Sequence, residues 1–210
     1  MKWSHLILTM LIGVVTIMPT KGFSQCRGGE VFQVKGEDVK WAAVKTTCFK
    51  AYVARQRNTN WCWAACIQMV LNYQGVDVSQ ETIVEKVFGY KADRPANAYT
   101  IAEAARGNWP GRVQISSHVD NPRTVTANAF IEDLTYKYPL IVGLRMPGQD
   151  VGHAYVLTGI SFTEDMYNNK KPIEVILRDP WPSNPSRLKM SWSEFYSRCH
   201  TVVHIYPSNQ

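Results

Sequence analysis

The sequence predicts an α+β fold, with a helical half followed by an antiparallel β half and a cleft where they meet. Three observations carry this expectation. The unbroken apolar, helix-forming run Cys62 to Tyr73 is followed by two further helix signals before residue 107. From Arg112 the apolar period changes from helical spacing to alternation, and most later runs are short and β-rich. The 210 residues, 45% apolar with aromatics throughout, suffice for one well-filled domain or two lobes sharing a cleft, and argue against disorder.

Met1 to Ser24 carries Lys2, an apolar run from Leu6 to Met18, Pro19, and a polar end at Gly22-Phe23-Ser24. That pattern is a secretory signal with small residues at the −3 and −1 positions, so residues 25–210 are expected to form a single exported domain, secreted or periplasmic. Gln25 is not the small residue that lipid anchoring of Cys26 would require. The run is short for a membrane span and no later stretch approaches the length, so no stable membrane insertion is expected. Losing Lys2 and Lys21 takes the net charge from +6 to +4, mild and spread out, without the basic cluster of a nucleic-acid binder.

Residues 26–55 mix short extended pieces (Val31 to Val34, Thr46 to Val53) with Gly28, Gly29 and Gly36, as in a peripheral lead-in. Helix Cys62 to Tyr73, apolar on nearly every face, belongs at the centre of the fold, with Asn60 as N-cap and Gly75 as its stop. Ser79 caps a helix from Gln80 to Phe88, closed by Gly89; Thr100 and Glu103 form a capping-box pair for a third. Val113, Ile115 and Ser117 alternate as a strand. Asn128 to Tyr136 is helical, and Leu140 to Met146, His153 to Phe162 and Ile173 to Arg178 are β-rich. Arg187 to Met190 adds a strand, Ser191 or Ser193 caps a short helix, and Cys199 to Tyr206 closes the chain as a strand.

The chemistry centres on Gln56 to Cys66. Cys62 falls in the first turn of the central helix, where unpaired N–H groups and the helix dipole favour an anion, so its thiol loses a proton more easily. Gln56, six residues upstream, can fold back to supply a donor for an oxyanion. A thiol nucleophile needs a base and a group to orient it. His153 starts a strand in Gly152-His153-Ala154, with Gly152 leaving space for a substrate backbone; Asp179 ends the next strand in Asp-Pro-Trp-Pro, with Trp181 placed to cover the pair. Trp61 can line the cleft or simply pack. His118, His200 and His204 are rival bases without the Gly-His-Ala setting. Five cysteines are an odd number: with Cys62 free, four remain, and export predicts at least one disulfide among Cys26, Cys48 and Cys199, Cys66 being embedded in the central helix. No Cys-x-x-Cys or paired His spacing suggests zinc, so no metal and no cofactor are expected.

Gln56, Cys62-Trp63, His153-Ala154, and Asp179 with Trp181 together resemble the papain-like cysteine peptidases of clan CA. The fuller Trp61-Cys62-Trp63-Ala64-Ala65 is similar to a compact bacterial branch that includes the plant-pathogen effector proteases. The resemblance implies a helical lobe and a β lobe flanking the cleft, a Cys62-His153-Asp179 triad and hydrolysis of a protein or peptide substrate. It departs from the eukaryotic members in having Asp for Asn and no recognisable pro-domain, and from injected effectors in carrying a secretory signal. Another thiol acyl-transfer enzyme, a peptidoglycan amidase or a transglutaminase-like protein, would use the same trio. The cell-wall enzymes usually place a small polar residue after the Cys and Asp before it, unlike Trp61-Cys62-Trp63.

Overall fold

The computed structural model describes residues 30–33, 38–148 and 152–208. The expected secretory signal and Cys26 lie outside them. In chain order the elements are β1 (Glu30–Gln33), β2 (Lys40–Ala43), α1 (Thr46–Phe49), a 3-10 turn (Lys50–Tyr52), α2 (Cys62–Tyr73), α3 (Gln80–Phe88), α4 (Ala98–Ala105), β3 (Gly107–Trp109), β4 (Val113–Asp120), α5 (Ala127–Thr135), β5 (Leu140–Arg145), β6 (Gly152–Glu164), β7 (Lys170–Arg178), β8 (Arg187–Ser191), α6 (Trp192–Arg198) and β9 (Cys199–Ser208). None of the helices among the described residues is long and apolar enough to cross a membrane.

The strands form one antiparallel sheet in the order β1-β2-β6-β5-β9-β4-β3, with β7 added to β6 and β8 to β7. Strand β6 is its spine: its first half pairs β5, its second half β2, and β7 runs along its other edge. It is buried from Ala154 to Phe162 on both faces, because α2 and α5 both pack against it. Helix α2 is apolar nearly all round for a related reason. It sits between the sheet and helices α3 and α4, burying Ile67, Met69, Val70 and Leu71 completely. Each such side chain contributes about 1.5–3 kcal/mol relative to exposure, which anchors the Cys62 end of the helix against the β half.

Four local expectations change. Residues 46–52 are helical rather than extended, because a turn there buries Phe49 against Tyr73 of α2, ring centroids 5.3 Å apart. The lead-in is not peripheral either, since β2 pairs with β6 and buries Ala42 and Val44. Helix α4 starts at Ala98 rather than at Thr100. Asn97 caps it by accepting from the Thr100 N–H at 2.9 Å, and Glu103 turns out to pair with Arg106. Asn60 does not cap α2: its side chain and backbone N–H are taken by Asp93 of a neighbouring loop, and Trp61 occupies the cap position without a side-chain bond. Ser79 caps α3 and Ser191 caps α6 through their hydroxyls, and Gly89 ends α3 at φ +77°, a left-handed turn that favours glycine.

Candidate active site

Cys62 opens α2. The first intrahelical bond at this end runs from the Ala65 N–H to the Trp61 carbonyl, so the N–H groups of Cys62, Trp63 and Ala64 have no acceptor within the helix. The thiol is half-buried and free. It faces the start of β6 across a cavity of about 270 Å³ whose walls include Trp63, Asn97, Gly152, His153, Ala154 and His200.

Strand register delivers Asp179 to His153. Val156 of β6 pairs with Arg178, the last residue of β7. One step further places Asp179 opposite Tyr155, on the face that Tyr155 shares with His153, whose ring it meets edge-on at 4.7 Å. His153 Nε2 lies 2.8 Å from Asp179 Oδ1. His153 and Cys62 line the same cavity, and with Nε2 taken by Asp179, Nδ1 is the ring nitrogen left for the sulfur. Burial opposes charge on this imidazole, but the hydrogen bonds to Asp179 and Cys62 and their negative charge outweigh it and push the ring up to about 9. Asp179, only 3% exposed, is lowered in spite of burial by the bonds it accepts from His153, from the Asn184 side chain and from the Trp181 backbone N–H, each 2.8 Å long. Trp181 stands edge-on to His153 at 6.1 Å and covers the pair in part, being itself 37% exposed.

Three supports escaped sequence reasoning. Asn184 accompanies Asp179 in a Pro-Trp-Pro-Ser run that signals a turn but no partner. Arg55 clamps that turn, its guanidinium donating to the carbonyls of Asp179, Trp181 and Asn184 at 2.8–2.9 Å. Buried Gln80 of α3 donates to the Arg55 carbonyl and to Gln68 Oε1 and accepts from the Arg57 N–H, tying the Gln56 segment to two helices. No local pattern marks Arg55 or Gln80, because their partners lie elsewhere in the chain.

Gln56 is buried and does not itself line the cavity. Its Nε2 donates to the carbonyls of Asn58 and Thr59 at 2.9 and 2.8 Å, while Oε1 has no partner among the described residues. Trp61 does not line the cavity. It is 2% exposed and donates its indole N–H to the Ala92 carbonyl, so it is a packing residue. Gly152 does line the wall, but the space beside it is filled: a Cβ there would collide with the His200 ring. His200 thus reaches the cavity, with Nδ1 2.9 Å from Thr201 Oγ1; burial and Arg145 keep its ring below the ordinary value. His118 and His204 lie together on β4 and β9 and do not line the cavity. Cys66 and Cys199 are buried free thiols, both raised by burial, Cys199 to about 12; the expected bridge therefore does not include Cys199.

A sulfur at a helix head, an imidazole able to carry its proton, and a carboxylate behind that imidazole are what attack on an acyl carbon requires. No curated protein matches the chain significantly. Among solved structures, the peptidase domain of Streptococcus ComA, a bi-functional ABC transporter involved in a quorum-sensing pathway, aligns over 75% of this chain and 97% of its own at 20% identity and TM-score 0.51, a likeness of fold. A double glycine motif protease from an AMS/PCAT transporter, solved with a leader peptide, aligns over 74% of this chain and 91% of its own at 20% identity and TM-score 0.46. The model of the Peptidase_C39 like family matches residues 50–202, which runs from the 3-10 turn to the start of β9: the chain belongs to that family and is a papain-like cysteine peptidase.

Proposed function

We propose that the protein is an exported thiol endopeptidase that cuts protein or peptide substrates through Cys62, His153 and Asp179. The observation that carries the reading is the 2.8 Å contact between His153 Nε2 and Asp179 Oδ1, behind a ring that lines the same cavity as Cys62. The Cys62 sulfur attacks the scissile carbonyl carbon. The imidazolium gives its proton to the leaving amine as the C–N bond breaks, leaving a thioester. Water, losing a proton to the now neutral His153, attacks the thioester and releases the acid, and the thiol is restored. Asp179 keeps the ring aimed and favours its charged form.

The oxyanion is held by the Cys62 backbone N–H at the open end of α2 and by Gln56 Nε2, which exchanges one of its carbonyl partners, Asn58 or Thr59, for the developing charge. Export rests on the signal pattern of Met1 to Ser24. The kinship with plant-pathogen effector proteases rests on the Trp-Cys-Trp-Ala-Ala, Gly-His-Ala and Asp-Pro-Trp motifs alone.

The test is a thiol-directed inhibitor mapped by mass spectrometry, together with Cys62→Ala assayed on a generic protein and on purified cell wall. Labelling at Cys62, turnover of protein rather than cell wall, and complete loss of turnover in the folded variant are expected. Wild-type-like turnover by Cys62→Ala would sink the assignment, and hydrolysis of cell wall alone would replace the peptidase with an amidase.

A further inference from the structure

Away from Cys62, strands β4 and β9 pair so that His118 stands directly opposite His204. Their rings stack with centroids 4.4 Å apart and planes 3° from parallel. Asp120, two residues beyond His118, shares its face of the strand. His204 is 2% exposed, and its Nδ1 lies 2.5 Å from Asp133 Oδ2 of α5; the Tyr206 hydroxyl donates to the same carboxylate at 3.0 and 3.2 Å. Asp133 therefore engages Nδ1, and Nε2 is the ring nitrogen left to face another partner. That Nε2 is buried and has no hydrogen-bond partner among the described residues. It lies 3.3 Å from Asp120 Oδ2, and His118 Nε2 lies 4.0 Å from the same oxygen.

An imidazole nitrogen and a carboxylate oxygen this close can share a cation between them. Bonds of about 2.0–2.1 Å in a tetrahedral shell set ligand atoms about 3.4 Å apart. The His204–Asp120 edge already has that length, and all three ligand atoms lie within 4.8 Å of one another. The other edges close by rotation of His118, whose side chain is 51% exposed. We propose that His118, Asp120 and His204 form a binding site for a divalent ion of the zinc class, with Asp133 and Tyr206 holding the His204 ring in place and water completing the shell. Two imidazoles and one carboxylate suit zinc, copper or nickel; magnesium and calcium want oxygen ligands throughout. The buried carboxylate behind a ligating histidine is the arrangement that orients metal-binding imidazoles and raises their basicity. The set escapes sequence reasoning because His118 and Asp120 meet His204 across strands, not within a local spacing. Bound there, the ion would pin β4 to β9.

The experiment titrates chelator-stripped protein with Co²⁺ and Zn²⁺, reading visible absorption, stoichiometry by calorimetry and melting temperature. One equivalent is expected to bind equally to wild type and Cys62→Ala, with a Co²⁺ spectrum lacking the thiolate charge-transfer band. His118→Ala, an exposed change, and Asp120→Asn should each weaken binding at least about 100-fold. Zn²⁺ should raise the melting temperature of wild type and not of His118→Ala, whose metal-free melt should match wild type. Binding that vanishes in Cys62→Ala, binding unchanged in His118→Ala, or no binding at all would overturn the site.

Discussion

Removing the Asp179 carboxylate tests the site at its most informative point. In Asp179→Ala the His153 ring loses a 2.8 Å hydrogen bond and the charge beside it, while burial, which opposes charge, remains. Moving the ring from its ordinary 6.5 to about 9 corresponds to about 3 kcal/mol in favour of the charged form. Asp179 supplies part of that preference and Cys62 the rest, so its loss predicts a fall in kcat/KM at neutral pH of about 10-fold or more. The sign of the pH effect follows. A raised ring keeps its proton until the pH passes about 9, so the alkaline limb of the wild-type profile should lie there and should drop by more than a unit in the variant. The same group stabilises the folded protein fully below pH 6.5 and loses that contribution as the pH rises through about 9.

Asp179→Asn should retain more activity than Asp179→Ala, because an amide oxygen still accepts from the ring, and both should exceed His153→Ala. The amide N–H₂ would face the Asn184 side-chain donor, so Asn184 must turn its own amide to accept. Alanine additionally leaves the Trp181 N–H and the Asn184 amide without their acceptor, costing about 1–3 kcal/mol of stability for each left buried and unsatisfied. Rate against pH for the three variants, alongside their thermal melts, separates these effects. An Asp179→Ala enzyme with undiminished activity and an alkaline limb still near 9 would refute the role and leave a Cys62–His153 dyad.

Gln56→Ala should keep inhibitor labelling at Cys62 but lower the turnover rate about 100-fold, the usual loss for one oxyanion donor; an unchanged rate would remove Gln56 from the site. Arg55→Ala releases three carbonyls of the turn that carries Asp179 and should lower stability by about 2 kcal/mol or more and move the alkaline limb in the direction of Asp179→Ala; a wild-type pH profile would show the turn holds itself. With Cys62, Cys66 and Cys199 free, the disulfide expected from export can join only Cys26 and Cys48 and would contribute about 2–4 kcal/mol. Mass spectrometry of unreduced protein should find three free thiols, and five would refute the bridge.

Much of this protein is determined within short windows of its sequence. The apolar run of α2, the Ser79 and Ser191 caps, the left-handed Gly89 and the alternation of β4 act over a few residues, so helix-then-strand order and the placement of Cys62 at a helix head are legible by spacing alone. Cys62, His153 and Asp179 could be picked out because each sits beside a local marker: a helix start, a strand start, a strand end. What brings them together is not local. The β6–β7 register sets Asp179 beside His153, and the packing of α2 on β6 sets Cys62 before both. Competition for partners was likewise settled only in three dimensions. Asp93 draws Asn60 away from the helix it could have capped, Ala92 draws the Trp61 indole inward, and the His200 ring fills the space beside Gly152. Arg55, Gln80 and the His118–Asp120–His204 group carry no local signature at all, because a hydrogen bond or a ligand set is defined by distance in space, and the sheet joins residues that the chain keeps far apart.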